Sequence, residues 1–264
     1  MKKVILISGL SLLLAQTAHA DIAFINGGFE DGDLTGWTIR GDNPGTTGDI
    51  NGAGVTSYYG GGGGYVAAVV NPGPDPQVGI NQVYNGVHAA RVGDATPWWG
   101  SPYQYNSISQ TANVTGTDPG HLYFAWAAVL ETSHHSYQDT PYFDVTVKDN
   151  TTGSNVYHIQ KYEQDGGFWT TSGWWQYSTG NNSSYPGWYI EDLDLATLGV
   201  SVGDSLTLTA LTRDCNPTGH AMYVYLDGFG AAPPTPGPVP EPATMLLMGT
   251  GLAGLIGAKR RKKA

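Results

Sequence analysis

The sequence contains a single cysteine, Cys215, and only 12 lysine and arginine residues among its 264. One cysteine excludes an internal disulfide, so the fold must rest on its hydrophobic core. Seven of the basic residues lie in the two terminal tails, whereas Glu241 is the only one of the 22 acidic residues there. The body between the tails therefore has a net charge of −16, from five basic and 21 acidic residues. A surface this acidic repels phosphate backbones, which argues against nucleic-acid binding.

Charged residues make up only 13% of the chain, whereas glycine is abundant at 38 residues. No long amphipathic helix is indicated before the C-terminal tail, because apolar residues recur with period two instead. In the run 142–148, Phe143, Val145 and Val147 share one face of a strand. The same alternation occurs in the runs 121–130, 205–211 and 221–227. Turn-forming clusters separate these runs, so the sequence predicts an all-β fold, a single antiparallel β-sandwich.

The first twenty residues have the layout of a secretory signal peptide. Two lysines precede an apolar stretch at residues 4–15, and the small residues Ala18 and Ala20 fit the rule for signal cleavage. We therefore predict that residues 1–20 are removed after Ala20 and that the rest of the chain is exported. A membrane anchor is the alternative, although the apolar stretch is short for one.

The C-terminal end combines three features in a fixed order. A proline-rich linker at residues 233–240 leads into the tripeptide Pro240-Glu241-Pro242. An apolar segment, 243–258, follows it, and then a basic cluster that includes Arg260 and Arg261. The apolar segment is near the lower length limit for a helix that crosses a bilayer. By the positive-inside rule the basic cluster stays in the cytoplasm, which leaves the body outside.

This order of features resembles the PEP-CTERM sorting signal of Gram-negative bacteria, here at residues 241–264. The resemblance implies recognition by an exosortase, removal of the tail near Pro240-Glu241-Pro242, and transient anchoring of a C-terminal helix in the inner membrane. It also implies a place in exopolysaccharide or biofilm, because proteins with this signal typically accompany such gene sets. An ordinary tail anchor is the alternative.

The body, residues 21–232, is similar to the galactose-binding-like jelly rolls, a group that includes several carbohydrate-binding modules. The similarity rests on four runs of the sequence. The runs 26–30 and 36–37 resemble the opening strand of that fold, the run 107–111 resembles the strand that commonly follows the first long loop, and the run 204–227 resembles the final strands. It implies that the β-sandwich is a jelly roll in a single domain. Because many functions share this fold, the similarity leaves the ligand open.

The same resemblance implies a structural calcium site. Its ligands are expected to be the carboxylates of Glu30 and Asp227 and the backbone carbonyl of Gly28. Calcium takes six to eight hard oxygen ligands, which carboxylates and carbonyls supply. Such a site fastens the N-terminal strand to the C-terminal one. The alternative is that Glu30 and Asp227 are solvated turn residues.

Aromatic residues cluster in two loop-like stretches of the body, and adjacent tryptophans in a loop cannot easily both point into a core. Exposed aromatic patches usually mark binding surfaces, and the apolar faces of sugars stack on such rings. We therefore predict a carbohydrate-binding platform, whereas the alternative is that these rings cap the ends of the sandwich. The platform residues are Trp98, Trp99, Tyr103, Trp174, Trp175 and Trp188.

Two groups of potentially reactive residues are expected to have neither a catalytic nor a metal-binding role. Cys215 and His220 are close in sequence, but no orienting third group or oxyanion hole is identifiable, so we do not predict nucleophilic catalysis. His134 and His135 are adjacent, and adjacent residues of a strand point to opposite faces. A solvated loop is therefore favoured over a transition-metal cluster formed with the nearby acidic residues.

We expect a surface or matrix protein that is not an enzyme and that binds polysaccharide passively, with calcium stiffening the fold. A purely structural envelope protein without a specific ligand is one alternative. A polysaccharide lyase or glycosidase is another, and it requires a cleft with convergent ionisable groups. The acidic residues Glu191, Asp192 and Asp194 do not by themselves define a glycosidase pair, because the sequence gives no separation between carboxylates.

Overall fold

The structure is a computed structural model, and its described residues are 21–42, 67–93, 105–137, 139–215 and 219–235. The expected signal peptide and the sorting tail lie outside the described residues, as do Trp98, Trp99 and Tyr103 of the expected platform. Within the described ranges, no helix is long and apolar enough to cross a membrane.

Thirteen β-strands in the described part of the chain form two antiparallel sheets. They are β1 (Asp21–Ile22), β2 (Thr38–Asp42), β3 (Ala67–Val70), β4 (Ala89–Val92), β5 (Tyr105–Thr115), β6 (His121–Glu131), β7 (Tyr142–Asp149), β8 (Asn155–Tyr162), β9 (Trp169–Ser172), β10 (Trp175–Ser178), β11 (Tyr189–Asp194), β12 (Ser205–Arg213) and β13 (Met222–Gly230). The first sheet has the order β1-β5-β12-β7-β8, with β2 also paired to β5. The second has the order β3-β4-β13-β6-β10-β9, with β11 also paired to β6. The predicted all-β antiparallel sandwich is confirmed.

The core between the sheets is built from the alternating strands that the sequence indicates. In β7, the side chains of Phe143, Val145 and Val147 are fully buried, whereas Lys148 is exposed. They belong to one cluster with alternate residues of β6, β12 and β13, among them Trp126. Because burial of each such side chain contributes about 1.5–3 kcal/mol, this cluster supplies much of the stability of the fold.

The outer face of the second sheet is also covered, which the alternation alone does not indicate. On β6, Ala125, Ala127 and Val129 are fully buried on the face opposite Trp126. They pack in a second cluster with side chains from two long connections, including Tyr84 and Trp188. The nearly continuous apolar run of β6 is typical of a strand that is buried on both faces.

Gly27 lies where the N-terminal turn meets β13. The Phe229 N–H donates to the Gly27 carbonyl at 3.0 Å, and a Cβ on Gly27 would lie 2.2 Å from the Phe229 carbonyl oxygen. We expect Gly27→Ala to push the turn off β13 and to lower the free energy of unfolding by about 2 kcal/mol in a urea titration. Gly166→Ala is the matched control, because its Cβ would meet nothing within 4 Å. Equal stability of the two variants would contradict this prediction.

Candidate ligand-binding sites

Asp227 is a completely buried carboxylate in β13. Its Oδ2 accepts hydrogen bonds from the backbone N–H groups of Tyr84, at 3.0 Å, and Asn85, at 2.7 Å. Its buried Oδ1 has no hydrogen-bond partner among the residues that the structure describes. Burial, together with a smaller effect of the nearby charge of Glu30, raises the pKa of Asp227 to about 8. A buried carboxylate oxygen without a partner is costly, so the site favours a bound proton or cation.

Glu30 is held by the same loop that contacts Asp227. One of its carboxylate oxygens accepts from the backbone N–H groups of Val87, at 3.0 Å, and His88, at 3.2 Å. Gly86 lies between Asn85, which contacts Asp227, and Val87, which contacts Glu30. It has φ +68°, and a Cβ on Gly86 would lie 2.1 Å from the Glu30 carboxylate. Only glycine therefore allows the carboxylate to approach this closely.

Gly28 completes the group that the sequence predicts as metal ligands. A Cβ on Gly28 would lie 3.6 Å from Glu30 Cγ and 3.9 Å from the side-chain amide nitrogen of Asn85. The structure thus brings Gly28, Glu30 and Asp227 together around the loop at residues 84–88. Hard oxygen donors and an orphaned buried carboxylate oxygen fit a calcium ion. The sequence offers no signal for the loop itself, because its contribution is made by backbone amides.

The expected aromatic platform is only partly assembled among the described residues. Trp174 lies in the tight turn between β9 and β10 and is 73% exposed, whereas Trp175 is half-buried. Trp175 and Tyr177 share the outer face of β10, and the Trp175 ring packs edge-on against Tyr223 at 6.1 Å. Exposure of one ring of the Trp174–Trp175 pair agrees with the argument from adjacency.

Trp188 does not belong to an exposed platform, and that part of the prediction is wrong. Its side chain is 0% exposed, and its indole N–H donates to the Asn81 carbonyl at 2.8 Å. The ring packs 5.6 Å from Tyr84 in the second cluster. A distant loop therefore supplies both the cover and the hydrogen-bond partner that a buried tryptophan needs.

A cleft of about 480 Å³ opens on the outer face of the second sheet, beside Tyr177. One wall comes from the connection between β3 and β4 and the other from the connection between β10 and β11. The cleft presents apolar rings together with an amide and a hydroxyl, which are the groups that typical small-ligand sites combine. Its lining includes Pro74, Val78, Asn81, Tyr177, Ser184 and Pro186.

Asp75 fixes the first wall of this cleft to the sheet. Its Oδ2 accepts hydrogen bonds from the hydroxyls of Tyr223, at 2.8 Å, and Tyr225, at 2.7 Å. Its Oδ1 accepts from the backbone N–H groups of Gln77, at 2.8 Å, and Val78, at 2.7 Å. Burial and the charge of Asp75 raise the pKa of both tyrosines, which keeps their hydroxyls as donors. The wall is therefore preorganised.

The two histidine-containing groups of the sequence meet in space. Cys215 Sγ lies 2.9 Å from His220 Nδ1, and the His135 and His220 rings are 5.2 Å apart. Donor atoms of all three side chains lie within 4.8 Å of one another. The expectation of a solvated loop is wrong for His135, which is half-buried against His220. Burial, followed by the nearby His135, lowers the pKa of His220.

The three acidic residues of β11 have separate structural contacts. Glu191 accepts a hydrogen bond from the indole N–H of Trp126 at 2.9 Å, and Asp192 contacts His121 at 2.5 Å. Asp194 accepts from the Thr197 hydroxyl at 2.8 Å in the turn after the strand. Since these residues alternate along β11, Glu191 and Asp192 point to opposite faces.

Residues 238–262 match the family model described as the PEP-CTERM protein-sorting motif. The match confirms the sorting signal that the sequence indicates around Pro240-Glu241-Pro242, and the motif indicates an exported, exosortase-processed protein at the cell envelope. A search of the curated proteins finds no match to this chain.

Solved structures similar in fold include carbohydrate-binding modules. CBM27-1 of Caldicellulosiruptor saccharolyticus, solved with mannohexaose, has a TM-score of 0.38 at 9% identity over 78% of this chain and 94% of that one. The Stig cyclase Fisc of Fischerella sp. TAU has a TM-score of 0.37 at 16% identity, and the match covers 83% of this chain and 99% of the cyclase. Tailspike protein 4 of bacteriophage CBA120 has a TM-score of 0.33 at 9% sequence identity. The match covers 79% of this chain but only 21%, about a fifth, of the tailspike chain. Because proteins that share a fold can differ in function, fold similarity alone does not determine what this chain does.

Proposed function

We propose that the protein is a non-catalytic polysaccharide-binding module of the exopolysaccharide or biofilm matrix of a Gram-negative bacterium. Exosortase processing at the tail follows transient anchoring in the inner membrane, and the body remains at the cell surface or in the matrix. The cleft beside Tyr177 is the observation that carries the proposal, since it combines half-buried rings with polar groups on a covered sheet face.

The ligand that fits this cleft is an uncharged glycan. The body has only five basic residues against 21 acidic ones, which disfavours acidic polysaccharides by long-range repulsion. The Tyr177 ring offers an apolar surface for a sugar face, and Asn81 and Ser184 offer hydrogen-bonding groups for its hydroxyls. Because Asp75 holds one wall of the cleft in place, that wall loses little conformational entropy when a glycan binds.

Calcium is part of the same proposal. Asp227, Glu30 and the backbone carbonyl of Gly28 would hold the ion, and its charge would neutralise the buried carboxylate of Asp227 and the nearby, exposed carboxylate of Glu30. Asp227 belongs to β13 and Glu30 to the N-terminal turn, so the residues of the site join the first and last parts of the sandwich. Its function is structural stiffening.

We expect Tyr177→Ala to weaken binding to a soluble neutral polysaccharide by at least about tenfold, because a central aromatic contact is lost. The measurement is affinity electrophoresis and titration calorimetry with hydroxyethyl cellulose, glucomannan and dextran. Tyr137→Ala is the matched control, since Tyr137 is 50% exposed and does not line the cleft.

Two results would contradict the cleft as the binding site. If Trp174→Ala abolishes binding while Tyr177→Ala does not, the exposed turn between β9 and β10 is the site instead. If none of these polysaccharides retards the wild-type protein, the alternative of a structural envelope protein without a glycan ligand is favoured.

A further inference from the structure

The cluster of His135, Cys215 and His220 lies at the start of β13, away from both sites described above. It joins two segments that are far apart in sequence, the connection between β6 and β7 and the connection between β12 and β13. Asp227 follows Met222 by five residues on β13, which corresponds to about 17 Å along an extended strand. The cluster therefore lies well away from Asp227 along β13, and it shares no residue with the lining of the glycan cleft.

Cys215 and His220 lie in the connection between β12 and β13, and hydrogen bonds between them hold their donor atoms side by side. The Cys215 N–H donates to the His220 carbonyl at 3.1 Å, and the His220 N–H donates back to Cys215 Sγ at 3.0 Å. Gly219 has φ +72°, which allows the chain to turn back at this point. Next along the chain, the Met222 N–H donates to Asp214 Oδ1 at 3.0 Å, which ties the two ends of this connection together.

The loop that carries His135 is held in place by hydrogen bonds to residues in the turn after β8. Glu163 accepts hydrogen bonds from the Ser133 hydroxyl and from the His134 N–H, the latter at 3.1 Å. The Gln164 side chain donates to the His135 carbonyl at 2.7 Å. His135 is thus positioned by neighbours on another element, and its ring meets the His220 ring at 5.2 Å.

The chemistry of this donor set differs from that of the calcium site. A thiolate and two imidazoles are soft or borderline ligands, which bind zinc and other late transition metals rather than calcium. A cysteine–histidine hydrogen bond alone would not need a second imidazole, yet all three donor atoms lie within 4.8 Å of one another. A metal that binds here displaces the thiol proton.

We propose that His135, Cys215 and His220 form a zinc-binding site that fastens the connection between β6 and β7 to the connection between β12 and β13. Three protein ligands leave the fourth position of a tetrahedral shell to water or to an external donor. The site forms only in the folded chain, because His135 and Cys215 are 80 positions apart in sequence.

The test uses the purified full-length protein with Zn²⁺ and with Co²⁺ as a spectroscopic substitute. We expect one zinc per chain in equilibrium dialysis against a calcium-containing buffer, and protection of Cys215 from alkylation by zinc. Co²⁺ should give a thiolate-to-metal charge-transfer band and the strong d–d bands of tetrahedral coordination. His135→Asn is expected to lower zinc affinity by more than about tenfold, since even outer-shell changes have effects of that size.

His134→Asn is the matched control within the same loop. His134 has φ +54°, a backbone conformation that asparagine adopts readily, and it is not a member of the cluster. We expect His134→Asn to keep the zinc affinity and the cobalt spectrum, and Cys215→Ser to lose the charge-transfer band while its circular dichroism remains that of the wild type.

Three outcomes would overturn the proposal. One is a wild-type protein that binds neither zinc nor cobalt under these conditions. Another is a cobalt spectrum without a thiolate band, which excludes Cys215 as a ligand. A third is an equal loss of affinity in His134→Asn and His135→Asn, which means that the metal binds the loop surface and not the cluster.

Discussion

Saturating calcium is expected to raise the midpoint of thermal unfolding, and Asp227→Asn is expected to abolish that rise. A ligand that binds only the folded state stabilises it by about 2.7 kcal/mol at a free concentration 100 times its Kd. For a domain of this size, that corresponds to a shift of roughly 5–10 °C. Asparagine keeps an acceptor for the N–H groups of Tyr84 and Asn85 but removes the negative charge. Scanning calorimetry with calcium and with a chelator measures the effect.

Glu30→Gln is expected to reduce the calcium response as well, and Asp31→Asn is the matched control. Asp31 is exposed and adjacent in sequence, so it changes the net charge by the same amount outside the predicted ligand set. His135→Asn is expected to leave the calcium response intact, which separates this site from the zinc cluster. An undiminished rise in Asp227→Asn would show that calcium binds elsewhere.

The strands could be predicted because the side-chain period of a half-buried strand is fixed by backbone geometry. Phe143, Val145 and Val147 alternate with polar residues in the sequence, and all three are buried in β7. The layer of side chains that covers the outer face of the second sheet was harder to predict, since it depends on loops that pack against β6. The fate of Trp188 illustrates this, because its partner, the Asn81 carbonyl, lies on a connection without periodicity.

The candidate sites divide in the same way. The resemblance to jelly rolls indicated Gly28, Glu30 and Asp227, and the structure places them around one loop. His135 could not be assigned to Cys215 and His220, because the contact depends on strand register. Met222 of β13 pairs with Leu130 of β6, so the segment after β6 lies beside the segment that precedes β13. Sequence reasoning treated the two histidine groups separately, since neither shows which strands are neighbours.

The largest loss of stability from a single substitution is expected at Asp75. Asp75→Ala removes the acceptor of two tyrosine hydroxyls and two backbone N–H groups, at a residue that is 3% exposed. Each buried donor left unsatisfied lowers stability by about 1–3 kcal/mol, so we expect a loss of about 4 kcal/mol in a urea titration. Because the same residue fixes a wall of the cleft, glycan binding should weaken at temperatures where the variant is still folded.

A compensating variant distinguishes lost hydrogen bonds from a general packing defect. On the Asp75→Ala background, Tyr223→Phe removes a donor that no longer has an acceptor, so it should recover part of the lost stability. The same Tyr223→Phe change in the wild type should destabilise, since there it breaks the 2.8 Å hydrogen bond to Asp75. The two effects of one substitution then differ in sign, which defines a coupling energy between the residues. If Tyr223→Phe destabilises both backgrounds equally, Asp75 does not act through the Tyr223 hydroxyl, and only its contacts with Tyr225, Gln77 and Val78 are left to anchor the cleft wall.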